Sequence, residues 1–279
     1  MLVRSVSGVA LNKEKRGKNN MIRAIMSGCN GKMGQVITGI CKEDAEIEIV
    51  AGIDLYDGIK NDYPVFPNIS VCDVAADVII DFSNAKAVDD LLVYSVDKQI
   101  PVVLCTTGLS EEQLKKVDGA SKKVAVLKSA NMSLGINMLM ELLKQAATIL
   151  APAGFDMEIV EKHHNQKLDA PSGTAITLAE GVIAGLPAKT EWVNYAPGIE
   201  HAANRIGSPA EATPRQVVID SVREGMVPGI HTVTYESEDD ILELKHTIKN
   251  RRTLAMGAVI AAEFLCGKQG VYSMDDLLK

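Results

Sequence analysis

Aromatic residues, paired cysteines and long apolar runs are scarce in this sequence, and each shortage narrows the class of protein. Aromatic residues make up 4% of the chain, so the core has to be built from Ala, Val, Ile, Leu and Met. The five cysteines are odd in number and form no C-x-x-C pair, which argues against a disulfide framework and a cysteine-based zinc site. This usage fits a reducing compartment, and we predict a cytoplasmic protein.

An excess of positive charge is also missing. The net charge is −7 at pH 7, and since phosphate binding favours a basic surface, we predict no nucleic-acid partner. No run approaches the roughly 18 apolar residues that a membrane helix needs, so we predict no membrane association. With 279 residues, 47% of them hydrophobic, the chain is long enough for one large domain or two small ones.

The first 20 residues differ in composition from the rest of the chain. They carry five basic residues and one acid, and a strand-like apolar run begins after Met21. Basic, serine-containing leaders occur in organelle transit peptides, but a tail or an upstream start codon is the simpler interpretation. We expect residues 1–20 to be a disordered leader.

Short apolar runs alternate with helix-like segments as far as Met132. Strands are predicted at 22–26, 47–53, 78–82, 101–105 and 124–127, with helices at 32–41, at 87–98 and from Ser110. Strands that alternate with helices are typical of βαβ units in a parallel, doubly wound sheet. We predict an α/β, Rossmann-like dinucleotide-binding domain over 21–132, completed by 250–279.

The pattern changes over residues 133–249. A helix is predicted at 135–150, with an apolar stripe of Met138, Leu142, Ala146 and Ile149. Alternating, Thr- and Val-rich runs follow at 155–162, 216–221, 230–236 and 241–248. Such alternation favours an antiparallel sheet. We predict an α+β substrate-binding domain with a mixed, largely antiparallel sheet.

A glycine-rich turn connects the first predicted strand and helix. It reads Gly28-Cys29-Asn30-Gly31-Lys32-Met33-Gly34, and Asp54 ends the second predicted strand. Glycines there let the backbone approach a pyrophosphate at a helix N-terminus, and an acid after the second strand can bind the ribose hydroxyls. The G-x-x-G-x-x-G spacing is weaker than G-x-G-x-x-G, so a glycine turn without a nucleotide is the alternative.

The nucleotide type depends on the charges near that turn. Asp54 would repel the 2′-phosphate of NADPH, which favours NADH. Lys32 and Lys60 are possible counter-charges for a phosphate. We therefore predict NADH or NADPH as the cofactor, with NADH slightly favoured.

A second motif reads EKHHNQKLDAPSGT from Glu161 to Thr174. His163 can donate a proton near neutral pH, and Lys167 adds a fixed positive charge. Gly173 and Thr174 begin the next predicted helix, where free N–H groups favour an anion. The segment therefore combines an acid, a cation and an anion site.

Two alternative interpretations apply to this motif: a structural histidine and a metal site. A single histidine is more often a structural residue than a catalytic one. The pair His163 and His164, with Glu161 and Asp169 nearby, also allows a metal site. Neighbours on an extended chain point to opposite sides, however, so the two histidines rarely share one ion. We predict that no metal is bound.

The segment from Glu161 to Ala175 resembles the signature of dihydrodipicolinate reductases, E-x-H-H-x-x-K-x-D-A-P-S-G-T-A, at every fixed position. Shorter segments match this family in chain order from Met21 onwards: Gly28 to Gly34, Thr106 to Leu109, Ala130 to Ser133, Arg223 to Gly225 and Gly229 to Thr232. Four positions depart from the family pattern. Cys105 stands where the family commonly has Gly and Met132 where it commonly has Phe, while Leu254 and Met256 alter the usual stretch before Gly257 and Ala258.

The resemblance implies NAD(P)H-dependent reduction of 4-hydroxy-tetrahydrodipicolinate, or dihydrodipicolinate, to tetrahydrodipicolinate in the diaminopimelate route to lysine. It implies a small dicarboxylate as substrate and a homotetramer in which four substrate-domain sheets pack together. His163 would be the general acid and Lys167 the second catalytic residue, while His164, Gly173 and Thr174 would bind the substrate carboxylates. The cofactor site would be lined by Gly28, Cys29, Asn30, Gly31, Lys32, Met33, Asp54, Cys105, Thr106, Thr107, Ala130, Asn131 and Met132.

Two other functions remain open at this point. One is a different nucleotide-dependent dehydrogenase on the same scaffold, against which the match from His163 to Thr174 counts. The other is a nucleotide-sensing protein without catalysis, which would need neither His163 nor Lys167.

Overall fold

The computed structural model describes residues 21–187, 189–213 and 216–278, so the predicted leader at 1–20 lies outside the described residues. The first elements in chain order are β1 (Ile22–Ser27), α1 (Lys32–Glu43), β2 (Ile47–Ile53), β3 (Val65–Phe66), β4 (Val78–Asp81), α2 (Val88–Lys98), β5 (Val102–Leu104), α3 (Glu111–Ser121) and β6 (Val126–Lys128).

The chain continues with a long helix and a second set of strands. These are α4 (Leu134–Leu150), β7 (Asp156–His163), α5 (Gly173–Ala184), β8 (Glu191–Tyr195), β9 (Arg205–Ile206), β10 (Gln216–Arg223), β11 (Ile230–Glu236) and β12 (Ile241–Thr247). The last elements are α6 (Arg252–Leu265), β13 (Val271–Tyr272) and α7 (Asp275–Leu278).

The chain divides into two compact units. The first unit ends at Ala130 and is completed by Ala255–Leu277, while the second comprises Asn131–Leu254. None of the helices in the described part of the chain is long and apolar enough to span a membrane.

The first unit contains a seven-stranded sheet in the order β13-β6-β5-β4-β1-β2-β3. Every pairing in it is parallel. Its central strands are apolar on both faces, and Ile25, Ile79 and Val102 are completely buried. This pattern is typical of a parallel sheet covered by helices on both sides. It confirms the predicted Rossmann-like fold class.

The second unit contains a six-stranded sheet in the order β12-β11-β7-β10-β8-β9. Odd-numbered residues of its central strands, such as Ile159, Ile219 and Val233, pack in one core with the apolar residues of α4 and α5. Even-numbered residues such as Val160 and Thr232 are half-buried on the other face. Side chains alternate between the two faces of a strand, so this parity follows directly from the sequence pattern.

Strand direction in the second sheet corrects one expectation. Strand β11 is antiparallel to β7 and to β12. Strand β10 is parallel to β7 and to β8, and β8 is parallel to β9. The sheet is mixed, as predicted, but it is not largely antiparallel. Helices α4 and α5 pack on one face, so its parallel strands alternate in hydrophobicity as antiparallel strands usually do.

The buried face of α4 also differs from the predicted stripe. Ile136, Leu139 and Leu143 are buried, whereas Met138, Leu142 and Ile149 of the predicted stripe are exposed. The helix carries two overlapping apolar stripes with the same helical spacing. Periodicity alone could not select the stripe that faces the sheet.

Candidate active site

The glycine turn after β1 is packed too tightly for side chains. Gly28 has a φ of +80°, and a Cβ atom there would lie 2.6 Å from the carbonyl oxygen of Phe82. A Cβ atom on Gly34 would lie 2.2 Å from the carbonyl oxygen of Gly28. Two of the predicted glycines are therefore required by the close approach of backbone segments.

The N-terminus of α1 has the donors that a phosphate group needs. Its N-cap, Gly31, makes no side-chain capping hydrogen bond. By contrast, serine side chains cap α3, α4 and α5. The first N–H groups of α1, those of Lys32 and Met33, are therefore left without a capping side chain and can bind an anion at the positive end of the helix. This geometry fits a pyrophosphate.

Asp54 holds the glycine turn in place. One oxygen of its carboxylate accepts a hydrogen bond from the N–H of Asn30 at 2.9 Å, and the other accepts from the N–H of Tyr56 at 3.0 Å. The side chain of Asn30 is in turn held by Asn61, 2.8 Å away. Asp54 thus lies where a ribose-binding acid was predicted, and it also fixes the adjacent backbone.

Cys29 contributes only its main chain to this turn. Its side chain is completely buried. Burial, reinforced by the negative charge of Asp54, raises the pKa of its thiol to about 11. The side chain is therefore a neutral core group.

A buried carboxylate supports the predicted threonine segment after β5. The hydroxyls of Thr106 and Ser83 each donate to Asp81 at 2.6 Å. Burial raises the pKa of Asp81, while these hydrogen bonds oppose the shift. Cys105 is also buried, and its thiol pKa lies well above the usual value for the same reason. Thr107 is exposed beside them.

In the second unit, His163 lies at the end of β7 beside the carboxylate of Glu161. Its Nδ1 contacts Glu161 Oε2, and Arg223 Nη1 lies 2.9 Å from the other oxygen, Oε1. Burial alone would raise the pKa of Glu161, but His163 and Arg223 outweigh it and lower this pKa to about 2. The carboxylate is therefore ionised and can only accept, so Nδ1 of His163 carries a hydrogen.

A second histidine packs against the first. The rings of His231 and His163 are 5.2 Å apart in an edge-to-face arrangement. Burial, followed by the charge of His163, lowers the pKa of His231 to about 3, so this ring is neutral. Its Nε2 lies 3.1 Å from the hydroxyl of Ser172.

Glu161, His163 and His231 also present the donor set of a metal site. One ligand atom from each lies within 4.8 Å of the others. The Arg223 guanidinium already neutralises the Glu161 carboxylate, and a cation there would face that positive charge. The absence of a bound metal stays a prediction.

Arg223 also holds the loop that carries Lys167. Its Nε and Nη2 donate to the backbone carbonyls of Lys167 at 3.3 Å and Asp169 at 2.7 Å. The Lys167 ammonium in turn donates to both carboxylate oxygens of Asp169 at 2.7 Å. His164 is half-buried at the start of the loop, and its carbonyl accepts from the N–H of Lys167.

Helix α5 begins next to this cluster. Ser172 caps it by accepting from the N–H of Ala175 at 3.2 Å. Among the described residues, nothing outside the adjacent helix backbone lies within 4 Å of a Cβ built on Gly173, so the space beside this residue is open. The Thr174 hydroxyl accepts from the side chain of Asn131 at 3.1 Å.

Ala130, Asn131 and Met132 connect β6 to α4. Ala130 is exposed, whereas Met132 is buried. Asn131 accepts from the N–H of Ser133, the residue that caps α4. The structure therefore brings the predicted substrate residues together around His163 and the predicted phosphate residues together around Gly28, each group within its own unit.

Two family models match this chain, one over each half. The N-terminal model of dihydrodipicolinate reductase matches residues 22–132, and the C-terminal model matches residues 135–278. The chain belongs to the dihydrodipicolinate reductase family.

Two relatives support this family membership over nearly the whole chain. The 4-hydroxy-tetrahydrodipicolinate reductase of Caldanaerobacter subterraneus subsp. tengcongensis is 44% identical over 264 residues, which cover 93% of this chain and 99% of that protein. The enzyme of the same name from Clostridium novyi is 45% identical over 261 residues, with coverage of 93% and 99%.

A solved reductase of this family has the same fold. The dihydrodipicolinate reductase from Paenisporosarcina sp. TG-14, solved with dipicolinate bound, superposes with a TM-score of 0.76 at 24% identity, covering 91% of this chain and 98% of that one. An amine dehydrogenase from Mycobacterium smegmatis shares the fold more distantly, with a TM-score of 0.58 at 13% identity over 92% and 96% of the two chains.

Sequence reasoning on this reductase missed the partners of the predicted site residues. Asp81 was not singled out, and Glu161 was considered only as a metal ligand. A signal existed for Glu161, because residues two apart on a strand share a face, which places it beside His163. The contacts of Arg223 had no local signal, because they join β10 to β7 and to the loop after it.

Proposed function

We propose that this chain reduces 4-hydroxy-tetrahydrodipicolinate, or its dehydrated form dihydrodipicolinate, to tetrahydrodipicolinate, in the diaminopimelate route to lysine. A pyridine nucleotide is the reductant. The observation that carries the proposal is the buried pair of His163 and ionised Glu161, with Lys167 and the start of α5 in the same unit. Near-full-length similarity to reductases of this name supports it.

The substrate carries two carboxylates, and the site offers matching positive groups. We assign the N–H groups of Gly173 and Thr174, at the positive end of α5, to one carboxylate. Lys167 and His164 contribute charge and hydrogen bonds beside it. Lys167 exchanges its contact with Asp169 for the substrate, since the Asp169 carboxylate is exposed to water, which weakens the ion pair.

The proton for the reduction comes from His163. When bound, the nicotinamide supplies a hydride to the conjugated carbon–nitrogen system of the ring. The negative charge that spreads through the ring is then neutralised by the proton on Nε2 of His163, and Nδ1 keeps its hydrogen on Glu161. A positioned acid of this kind contributes on the order of 100- to 10,000-fold to the rate. Lys167 stabilises the developing charge.

The first unit holds the nucleotide. The turn formed by Gly28, Cys29, Asn30 and Gly31 would hold the pyrophosphate against the N-terminus of α1, where the N–H groups of Lys32 and Met33 would be the donors. Asp54 would bind the ribose. We assign Cys105, Thr106, Thr107, Ala130, Asn131 and Met132 to the nicotinamide side. The Asp54 carboxylate would repel the 2′-phosphate of NADPH and so favours NADH. Lys32 and Lys60 are exposed and would supply positive charge for that phosphate if NADPH binds.

The remaining assignments rest on the family resemblance. We propose a homotetramer that acts in the cytoplasm on a small dicarboxylate, with no nucleic-acid or membrane partner. Residues 21–132 with 250–279 form the dinucleotide-binding domain, and residues 133–249 form the domain for substrate binding and tetramerisation.

A coupled assay tests this function. The preceding synthase generates fresh substrate from pyruvate and aspartate semialdehyde, and absorbance of the reduced nicotinamide is followed with NADH and then with NADPH. We expect oxidation that requires both proteins and is faster with NADH. Reactions without the synthase are the control. No oxidation with either nucleotide, by a folded protein that still binds NADH, would refute the proposal.

A further inference from the structure

A buried polar row crosses the second sheet beneath the start of α5. Glu161 on β7 is paired with His231 on β11 and with Ser221 on β10. All three side chains are buried, and Asn194 on β8 extends the row through a 2.9 Å hydrogen bond to Ser221. A buried charge is stable only when it is paired and hydrogen-bonded. The only ionised member of this row is Glu161.

Both oxygens of Glu161 are used by groups of the site. Oε2 contacts Nδ1 of His163. Oε1 lies 2.9 Å from Nη1 of Arg223 and 3.3 Å from the N–H of Ser172. An ionised carboxylate accepts but does not donate, so Nδ1 of His163 has to carry a hydrogen. Nε2 is therefore the nitrogen that gains and loses the catalytic proton.

The space around Nε2 is kept free by a glycine. A Cβ atom built on Gly229 would lie 3.2 Å from Nε2 of His163. Such a contact is tighter than ordinary van der Waals packing. Any other residue at this position would therefore crowd the nitrogen that Glu161 leaves free.

One guanidinium group connects the acid to the lysine loop. Arg223 contacts Glu161 and the backbone carbonyls of Lys167 and Asp169. Its rigid fork of donors reaches all three groups at once, which a lysine ammonium cannot do. The relative positions of His163 and Lys167 therefore depend on Arg223.

We infer that Glu161, held by Arg223, is the positioning residue of the reduction: it keeps His163 in the Nδ1–H form, so that the Nε2 proton is the one transferred. This inference rests on the proposed function. Neither residue touches the reacting atoms; both act through His163 and the Lys167 loop. An outer partner of this kind typically changes activity by 10- to 100-fold when its counterpart at a metal site is replaced.

The variant Glu161→Gln tests the inference, with Glu180→Gln on the exposed side of α5 as its matched control. The glutamine amide can donate to Nδ1 and so selects the opposite tautomer, Nε2–H, as an amide does in the serine protease triad. We expect kcat in the coupled assay to fall about 100-fold, with the KM for NADH within a factor of about two of the original. The control keeps the original kcat.

The pH profile of kcat gives a readout that a merely structural role would not move. The charged or titratable groups around the cluster are Glu161 on the same strand, Arg223 on β10, His231 on β11, His246 on β12, and the paired Lys167 and Asp169 in the loop. Loss of the Glu161 charge removes the anionic partner of the imidazolium. We therefore expect the decline of kcat at rising pH to begin at a lower pH in Glu161→Gln.

Nitrogen NMR of histidine-labelled protein tests the tautomer without any turnover, with His163→Gln to assign the signal. Neutral His163 is expected as Nδ1–H in the original protein and as Nε2–H in Glu161→Gln. An Nε2–H form in the original protein overturns the inference, as does a Glu161→Gln protein with unchanged kcat and pH profile.

The conservative variant covers the case in which glutamine prevents folding. Glu161→Asp keeps the charge but withdraws it by one methylene, so kcat is expected between the original and the glutamine value. An original kcat in Glu161→Asp with an Nε2–H ring also overturns the inference. Failure of the coupled assay in the original protein refutes the proposed reaction instead, because the NMR result does not depend on it.

Discussion

Two glycines of α1 differ sharply in what an added side chain would meet. A Cβ atom on Gly34 would lie 2.2 Å from the carbonyl oxygen of Gly28. In the part of the chain that the structure describes, nothing outside the nearby backbone of α1 lies within 4 Å of a Cβ atom on Gly39. The obstacle at Gly34 is backbone, which cannot swing aside as a long side chain can. A substitution at Gly34 therefore disturbs the tight turn, whereas the same substitution at Gly39 affects only the helix that follows it.

We predict opposite effects for alanine at these two positions. Gly34→Ala should lower the free energy of unfolding by about 1–3 kcal/mol and weaken NADH binding, because the turn has to open. Gly39→Ala should raise it by roughly 0.5–1 kcal/mol, since Ala is the better helix former. Denaturant titration measures the free energy of unfolding of each variant, and fluorescence titration with NADH measures its nucleotide affinity. Equal nucleotide affinity in the two variants would contradict a phosphate site at this turn.

At the scale of elements, serine caps offer a comparison between α5 and α3. Ser172 caps α5, is buried and also contacts His231. Ser110 caps α3 through a reciprocal capping box with Gln113, but it is exposed. Both caps stabilise a helix N-terminus, while only the one at α5 belongs to the proposed carboxylate site.

We predict that both caps matter for stability and one for substrate. Ser110→Ala should cost about 1 kcal/mol of unfolding free energy and leave the coupled assay unchanged. Ser172→Ala should cost more, because it also leaves buried polar groups without a partner. It should raise the KM for substrate several-fold. An unchanged KM in Ser172→Ala would argue against substrate binding at the start of α5.

How far the elements could be predicted depended on what each pattern encodes. Strand β11 was predicted with its observed limits, Ile230–Glu236, because alternation and turn residues mark both ends. The parallel pairing of β10 with β7 was not predicted. Alternation of apolar and polar residues indicates which face of a strand is buried, but it does not indicate the strand's direction. The prediction of the buried face of α4 was wrong for a similar reason, because the helix has two apolar stripes with the same helical period.

The site shows the same division between local and long-range information. The start of α5 at Gly173 and the glycine turn from Gly28 are local features, and both were predicted from the sequence. The contact of Arg223 with Glu161 joins residues far apart in the chain, which only strand pairing brings together. Motif spacing carries no information about such a pair. The predicted family and fold class are confirmed, whereas the roles of individual residues stay predictions.

At the scale of the whole molecule, the second sheet has a face that points away from α4 and α5. Even-numbered residues of its central strands lie there, among them Val160, Val218 and Thr232, and they are half-buried. Apolar and threonine side chains on an open sheet face favour packing against another sheet. The homotetramer implied by the family would cover this face with other copies of the chain.

We predict that light scattering gives the mass of four chains for the original protein and a smaller mass for the variant Val218→Arg. Val218 is paired with Glu158 on β7, so a single chain can accept the arginine through an ion pair, while an apposed copy would have to bury it. The control Val93→Arg changes an exposed residue of α2 and should leave the mass unchanged. A tetramer that survives Val218→Arg would mean that copies of the chain meet through a different surface.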